Sequence, residues 1–315
     1  GTGDDSLYAD TVAGTNNQFY MGTGNDLVSY ASVAATALTV TLDTGTVGNA
    51  TVRGVGTDSI TGAESIEGGG ASDTFVGFVA SGLALDGGAG TDWVSYSGTA
   101  TGVTVDLSAS GKTIRGGVTQ TFSNFEAAIG SNTNDSFIGD AAVANAFTGD
   151  TGNDTYDLSN SAAAVTVDLT AGRVSIGGVV DTISGIETLI GVDGQADIFY
   201  GNTSNAYGSS LVGGTGGSDL ISYSKVNPGA GVTVALSAVG NGTATFGSYA
   251  DTFTGMESLQ GSLATKDAIT ASSNFKLDLS GAGSGTVSIG GSEAIAFSGF
   301  ETFTGIAGND TLVGN

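Results

Sequence analysis

The sequence predicts an all-β fold: a parallel β-solenoid of the β-roll or β-helix kind, about 19–22 residues per coil, with little or no helix. Three observations carry that expectation. A long unit recurs about four and a half times along the 315 residues. Within it, carboxylate-bearing turns recur at intervals of 19 (Asp73 to Asp92, Asp135 to Asp154), 21 (Asp5 to Asp26) or 22 (Asp197 to Asp219). Apolar and polar residues alternate at period 2, and no stretch sustains the 3.6-residue period of a helix.

The unit has four steps. The first is a glycine turn ending in Asp before an apolar residue, at Asp26, Asp92, Asp154 and Asp219, roughly 65 residues apart each time. The second is an alternating strand: residues 38–42, 103–107, 165–169 and 232–236. The third holds Glu64, Glu126, Glu187, Glu257 or Glu301. The fourth is a second Asp turn, at Asp73, Asp135, Asp197 and Asp310, and is eroded at Asp267. A coil of two or three short strands takes roughly 18–22 residues, so each long unit reads as about three coils. Residues one coil apart stack at about 4.8 Å, which puts the two Asp turns of a pair at one corner. One coil cannot bury its apolar face, and stacking gives all of them a common core. An array of β-sandwiches would need units of about 100 residues. The chain therefore reads as a single elongated domain, 1–315, with long units near 21–84, 85–146, 147–210 and 211–275 and partial units at 276–315 and 1–20.

Composition agrees and removes several functions. There are 55 Gly, 1 Pro, no Cys and no His. That excludes disulfides, thiolate metal sites and any triad built on His. A net charge of −24 opposes nucleic-acid binding, and no apolar run reaches the roughly 18 residues of a membrane span. The first residues, Gly1 to Asp5, do not read as a signal peptide, so any export signal is expected elsewhere. Apolar residues at 39% argue against disorder.

Residues Gly87 to Ser95 fit Gly-Gly-x-Gly-x-Asp-x-apolar-x at every position. This resembles the nonapeptide of the RTX (hemolysin-type) calcium-binding repeat family. Degenerate copies end at Asp26, Asp73, Asp154 and Asp219, and the longer unit around them also resembles segments of secreted RTX-like proteins. The chemistry has its own logic. Glycine lets the backbone take positive φ, so carbonyls turn inward, and the Asp adds a carboxylate. Calcium takes six to eight such hard oxygens. The metal-ligating candidates are Asp73 with Gly88, Gly90 and Asp92; Asp135 with Gly152 and Asp154; Asp5 with Gly24 and Asp26; then Asp197 with Asp219, and Asp310. About one calcium ion per long unit is expected. The alternative is ordinary Asx turns with no metal.

Other features carry less. The five registered Glu residues are expected to be structural, bonding a local turn or facing solvent, and Asp106 and Asp168 to point outward. Tyr30, Tyr96 and Tyr223 are expected in the core. Arg53, Lys112, Arg115, Arg173, Lys225, Lys266 and Lys276 are scattered, and no His exists, so no enzyme is expected. Thr-Val-Thr steps recur once per unit, not once per coil, which denies ice a continuous ladder. Joined head to tail, Asn315 and Gly1 to Leu7 read as one more nonapeptide, so the chain is expected to be a piece of a longer solenoid or to self-associate end to end. The resulting expectation is a calcium-stabilised structural segment of a secreted or cell-surface bacterial protein, forming part of a filament or surface (S-layer) lattice. The alternative is an adhesin module recognising a surface glycan.

Overall fold

The computed structural model describes every residue except 10–14, 44, 55, 79–81, 109–110, 202–207, 227–228, 230, 272–273, 292–293, 306–307 and 315. Asn315, and with it the head-to-tail nonapeptide, lies outside the described residues. The fold is all-β: 48% of the chain is strand, in long sheets dominated by parallel pairing, with no helix among the described residues. Two compact units are formed, Gly1–Thr155 with Ile183–Ile186, and Tyr156–Thr182 with Glu187–Asn315.

In the first unit, three-residue strands alternate between two sheets. The central side chain of each points inward and its neighbours stay partly exposed, which is the period-2 pattern of the sequence. Leu7, Val28, Ile66, Leu85 and Phe122 stack in register in one sheet. Val40, Phe75, Val94, Ala128 and Phe147 stack in the other, all buried. The second unit repeats the arrangement, with Leu189, Leu211 and Phe253 in one sheet and Val167, Phe199, Ile221, Leu259 and Phe297 in the other. Burying one such large side chain contributes roughly 1.5–3 kcal/mol, and the fold multiplies that term along each column.

One architectural element goes beyond the expected short strands. Each long unit contains a three-stranded antiparallel meander set into a parallel sheet. Thr104–Asp106, Lys112–Arg115 and Val118–Ser123 form one. Its last strand pairs in parallel with Ala84–Asp86 below and its first with Ser136–Ile138 above. Thr39–Leu42, Ala50–Arg53 and Thr57–Thr61 form another in the opposite sheet. This changes the coil count. From Leu27–Ser29 the chain passes through the meander at 39–61, then Ser65–Glu67, Thr74–Val76 and Ala84–Asp86, and reaches Trp93–Ser95 in the other sheet. The long unit is thus two and a half turns, not three. The half turn places successive meanders on alternate sheets, so both sheets of the first unit gain the same number of strands.

Candidate metal centre

Each predicted Asp sits at a corner, one residue before a strand, and the paired corners do stack. Asp73 N–H donates to Asp92 Oδ1 at 2.6 Å, and Trp93 N–H donates to the Asp73 carbonyl at 2.8 Å. Asp135 and Asp154 are tied the same way at 2.8 and 2.9 Å. Asp197 and Asp219 are joined at 2.8 Å, as are Asp5 and Asp26. The side chains are buried at Asp26, Asp73, Asp92, Asp135, Asp154, Asp197 and Asp219, whereas Asp5 and Asp310 are exposed. Asp310 accepts from Phe275 N–H at 3.3 Å. The eroded copy keeps the corner: buried Asp267 Oδ1 accepts from Val232 N–H at 2.6 Å.

The registered glutamates belong to the same columns. Asp92 N–H donates to Glu126 Oε2 at 2.9 Å, Asp26 N–H to Glu64 Oε2 at 2.9 Å, and Asp219 N–H to Glu257 Oε2 at 2.8 Å. Asp267 N–H donates to Glu301 Oε2 at 2.8 Å. These glutamates are structural, as expected, and Glu257 and Glu301 are exposed, but their bonds are not local: each accepts from a backbone amide far earlier in the chain, across the intervening meander. Glu64 and Glu126 also precede strands of opposite sheets, so they do not share one corner three coils apart. The repeated column is therefore Asp, Asp, Glu.

The two Asp rungs differ in their second oxygen. Asp73 Oδ2 accepts from Gly69 N–H at 2.5 Å, Asp135 Oδ2 from Ser131 N–H at 2.6 Å, and Asp197 Oδ2 from Val192 N–H at 2.6 Å. Asp26, Asp92 and Asp219 each keep a buried Oδ2 with no hydrogen-bond partner. The backbone explains the difference. In the turn before Asp92, Gly88 has φ +93° and Gly90 +145°. That left-handed residue turns its N–H away from the carboxylate, and Gly88 N–H donates to Asp86 Oδ1 at 3.0 Å instead. Gly22 and Gly24 before Asp26, and Gly214 and Gly216 before Asp219, also have positive φ. Asp150 and Gly152 take the same conformation before Asp154.

Before Asp92 and Asp219 the first residue of the turn has no room for a side chain, whereas buried Met21 holds that place before Asp26. A Cβ on Gly87 would lie 2.0 Å from the Asn124 carbonyl oxygen and 2.9 Å from Asp92 Oδ2. At Gly213 the same point lies 2.2 Å from the Gly255 carbonyl oxygen and 2.7 Å from Asp219 Oδ2. A carbonyl of the next coil and an Asp Oδ2 thus approach the same glycine, as they also do at Gly68, Gly130 and Gly191 beside Asp73, Asp135 and Asp197.

Burial acts on the proton affinity of both rungs. Burial pushes Asp92 and Asp219 up to about 6; the N–H of the rung below opposes this, and neighbouring carboxylates add to it, Asp73, Glu126 and Asp86 around Asp92 and Asp197 and Glu257 around Asp219. Burial also raises Asp73, Asp135 and Asp197, against the pull of their backbone donors. The ion pairs of Lys112, Lys225 and Lys276 go to Asp106, Asp168 and Asp278, outside the columns. Asp106, expected to face outward, is 8% exposed, with Lys112 3.6 Å away. Among the described residues no three acidic side chains gather closely enough to hold a metal by themselves. A cation in a column would rest on one or two carboxylates and on carbonyl oxygens, a donor set that suits calcium.

The tyrosines are buried as expected and reveal a second network. Tyr30 and Tyr223 hydroxyls donate to Asp58 and Asp251 Oδ2 at 3.1 and 3.2 Å, and Tyr156 to Asp181 Oδ2 at 2.5 Å. All three acceptors sit on the last strand of a meander. The second meander has Gln120 at that position, with both amide atoms buried and without partners, and Tyr96 donates to Thr113 Oγ1 instead. Neither a protein-family model nor a curated protein sequence matches the chain.

Proposed function

We propose that the chain is a calcium-stabilised structural segment of a secreted or cell-surface bacterial protein, supplying reach and stiffness rather than catalysis. The observation that supports this reading is the partnerless, buried Oδ2 of Asp26, Asp92 and Asp219, each behind a glycine turn with left-handed backbone. A buried carboxylate oxygen with no donor is destabilising unless it is protonated or meets a cation. Calcium binding at these turns stabilises the folded chain, while low calcium leaves a net charge of −24 and the buried carboxylates opposing it. At a free concentration of 100 times Kd, each site contributes about 2.7 kcal/mol. The resemblance of Gly87 to Ser95 to the RTX nonapeptide agrees with an extracellular setting, where calcium is abundant.

Thermal unfolding tests this. The chain in EDTA is expected to melt well below the chain in millimolar calcium, with magnesium a weak substitute. Equal melting temperatures in all three would remove calcium from the account.

A further inference from the structure

We propose, resting on the calcium reading above, that the cation seat lies between each glycine-rich turn and the corner of the following long coil, where Glu126, Glu257 and Glu64 supply its second carboxylate. The rung below is already satisfied: Asp73 accepts from the backbone N–H groups of Leu38 and Gly69 with one carboxylate oxygen each, at 2.7 and 2.5 Å. The rung above is not. Asp92 Oδ2 is fully buried and partnerless. Glu126 uses only Oε2, on the Asp92 N–H, and its Oε1 has no donor among the described residues. The Asn124 carbonyl oxygen, two residues before Glu126, and Asp92 Oδ2 both pack close against Gly87. Asp219, Gly255 and Glu257 repeat this triad.

Such a seat needs one glycine-rich turn plus a glutamate corner, not two stacked nonapeptides. That accounts for glycine-rich turns recurring singly, roughly 65 residues apart, in place of a continuous array.

Trp93, the single tryptophan, follows Asp92 and stands beside this seat. Terbium emission sensitised by Trp93, titrated on the full chain and displaced by calcium, reads its affinity. Glu126→Gln keeps an oxygen for the Asp92 N–H and removes the charge; Glu126→Asp keeps the charge but withdraws it by one methylene. Both are expected to weaken binding about tenfold or more, with unchanged far-ultraviolet circular dichroism. Glu257→Gln is expected to leave the Trp93 signal intact and to weaken one calorimetric site about tenfold or more. Wild-type affinity in Glu126→Gln, or in Glu126→Asp, overturns the assignment of Glu126 as a ligand and leaves the calcium reading standing. Unchanged calorimetric affinities at every site in Glu257→Gln overturn it equally, even if the Glu126 variants fail to fold. A wild-type chain that binds neither terbium nor calcium overturns both.

Discussion

Asp92 and Asp219 carry the sharpest energetic consequence at the scale of single residues. Their folded values near 6 exceed the ordinary 3.8. The folded state therefore binds these protons more tightly than the unfolded chain. In metal-free protein, the cost of burying the two charges is present above pH 6 and is relieved as pH falls from about 6 toward 4. The chain in EDTA is expected to melt higher at pH 5 than at pH 7.5. Falling net charge acts in the same direction, so the double variant Asp92→Asn, Asp219→Asn separates the causes: it is expected to shrink the difference, and an undiminished difference would assign it to overall charge. The tyrosine network makes a second prediction. Tyr30→Phe strips Asp58 Oδ2 of a buried donor and is expected to cost about 1–3 kcal/mol in denaturant unfolding. Gln120→Met removes two unsatisfied buried atoms at similar volume and is expected to gain about 1 kcal/mol. The Asp columns were legible in the sequence, because the short interval from Asp73 to Asp92 leaves room for one plain coil and nothing more. The place of Glu126 was not, because the stretch between it and Asp92 looks like nearly two plain coils when the meander is unseen.

Elements obey the same distinction. The short strands and their inward residues follow directly from period-2 alternation. The meanders were signalled, but by their turns rather than their strands: Gly116-Gly117, with φ +56° and +82°, lies between Lys112–Arg115 and Val118–Ser123 as a two-residue hairpin turn requires. Gly177-Gly178 does the same between Arg173–Ile176 and Val179–Ser184. Corner glycines differ in what they tolerate. Gly87→Ala drives a Cβ to 2.0 Å from a backbone carbonyl and is expected to cost about 1–3 kcal/mol or more. Gly98 has open space and only its φ of +81° to oppose a side chain, so Gly98→Ala is expected to cost less than Gly87→Ala by the same denaturant measurement. Equal losses would mean that the close approach of the coils at Gly87 yields easily.

At the scale of the whole molecule, −24 formal charges and seven scattered bases make ions part of the stability of the fold. The decisive question is where a cation sits, and the columns give an asymmetric answer. A crystal grown in calcium and measured for anomalous scattering tests it most directly. Peaks are expected beside Asp26, Asp92 and Asp219, toward Glu64, Glu126 and Glu257, and none between Asp73 Oδ2 and the Gly69 N–H. Carboxylate columns free of anomalous density at saturating calcium, or peaks confined to the Asp73, Asp135 and Asp197 rungs, would contradict the account.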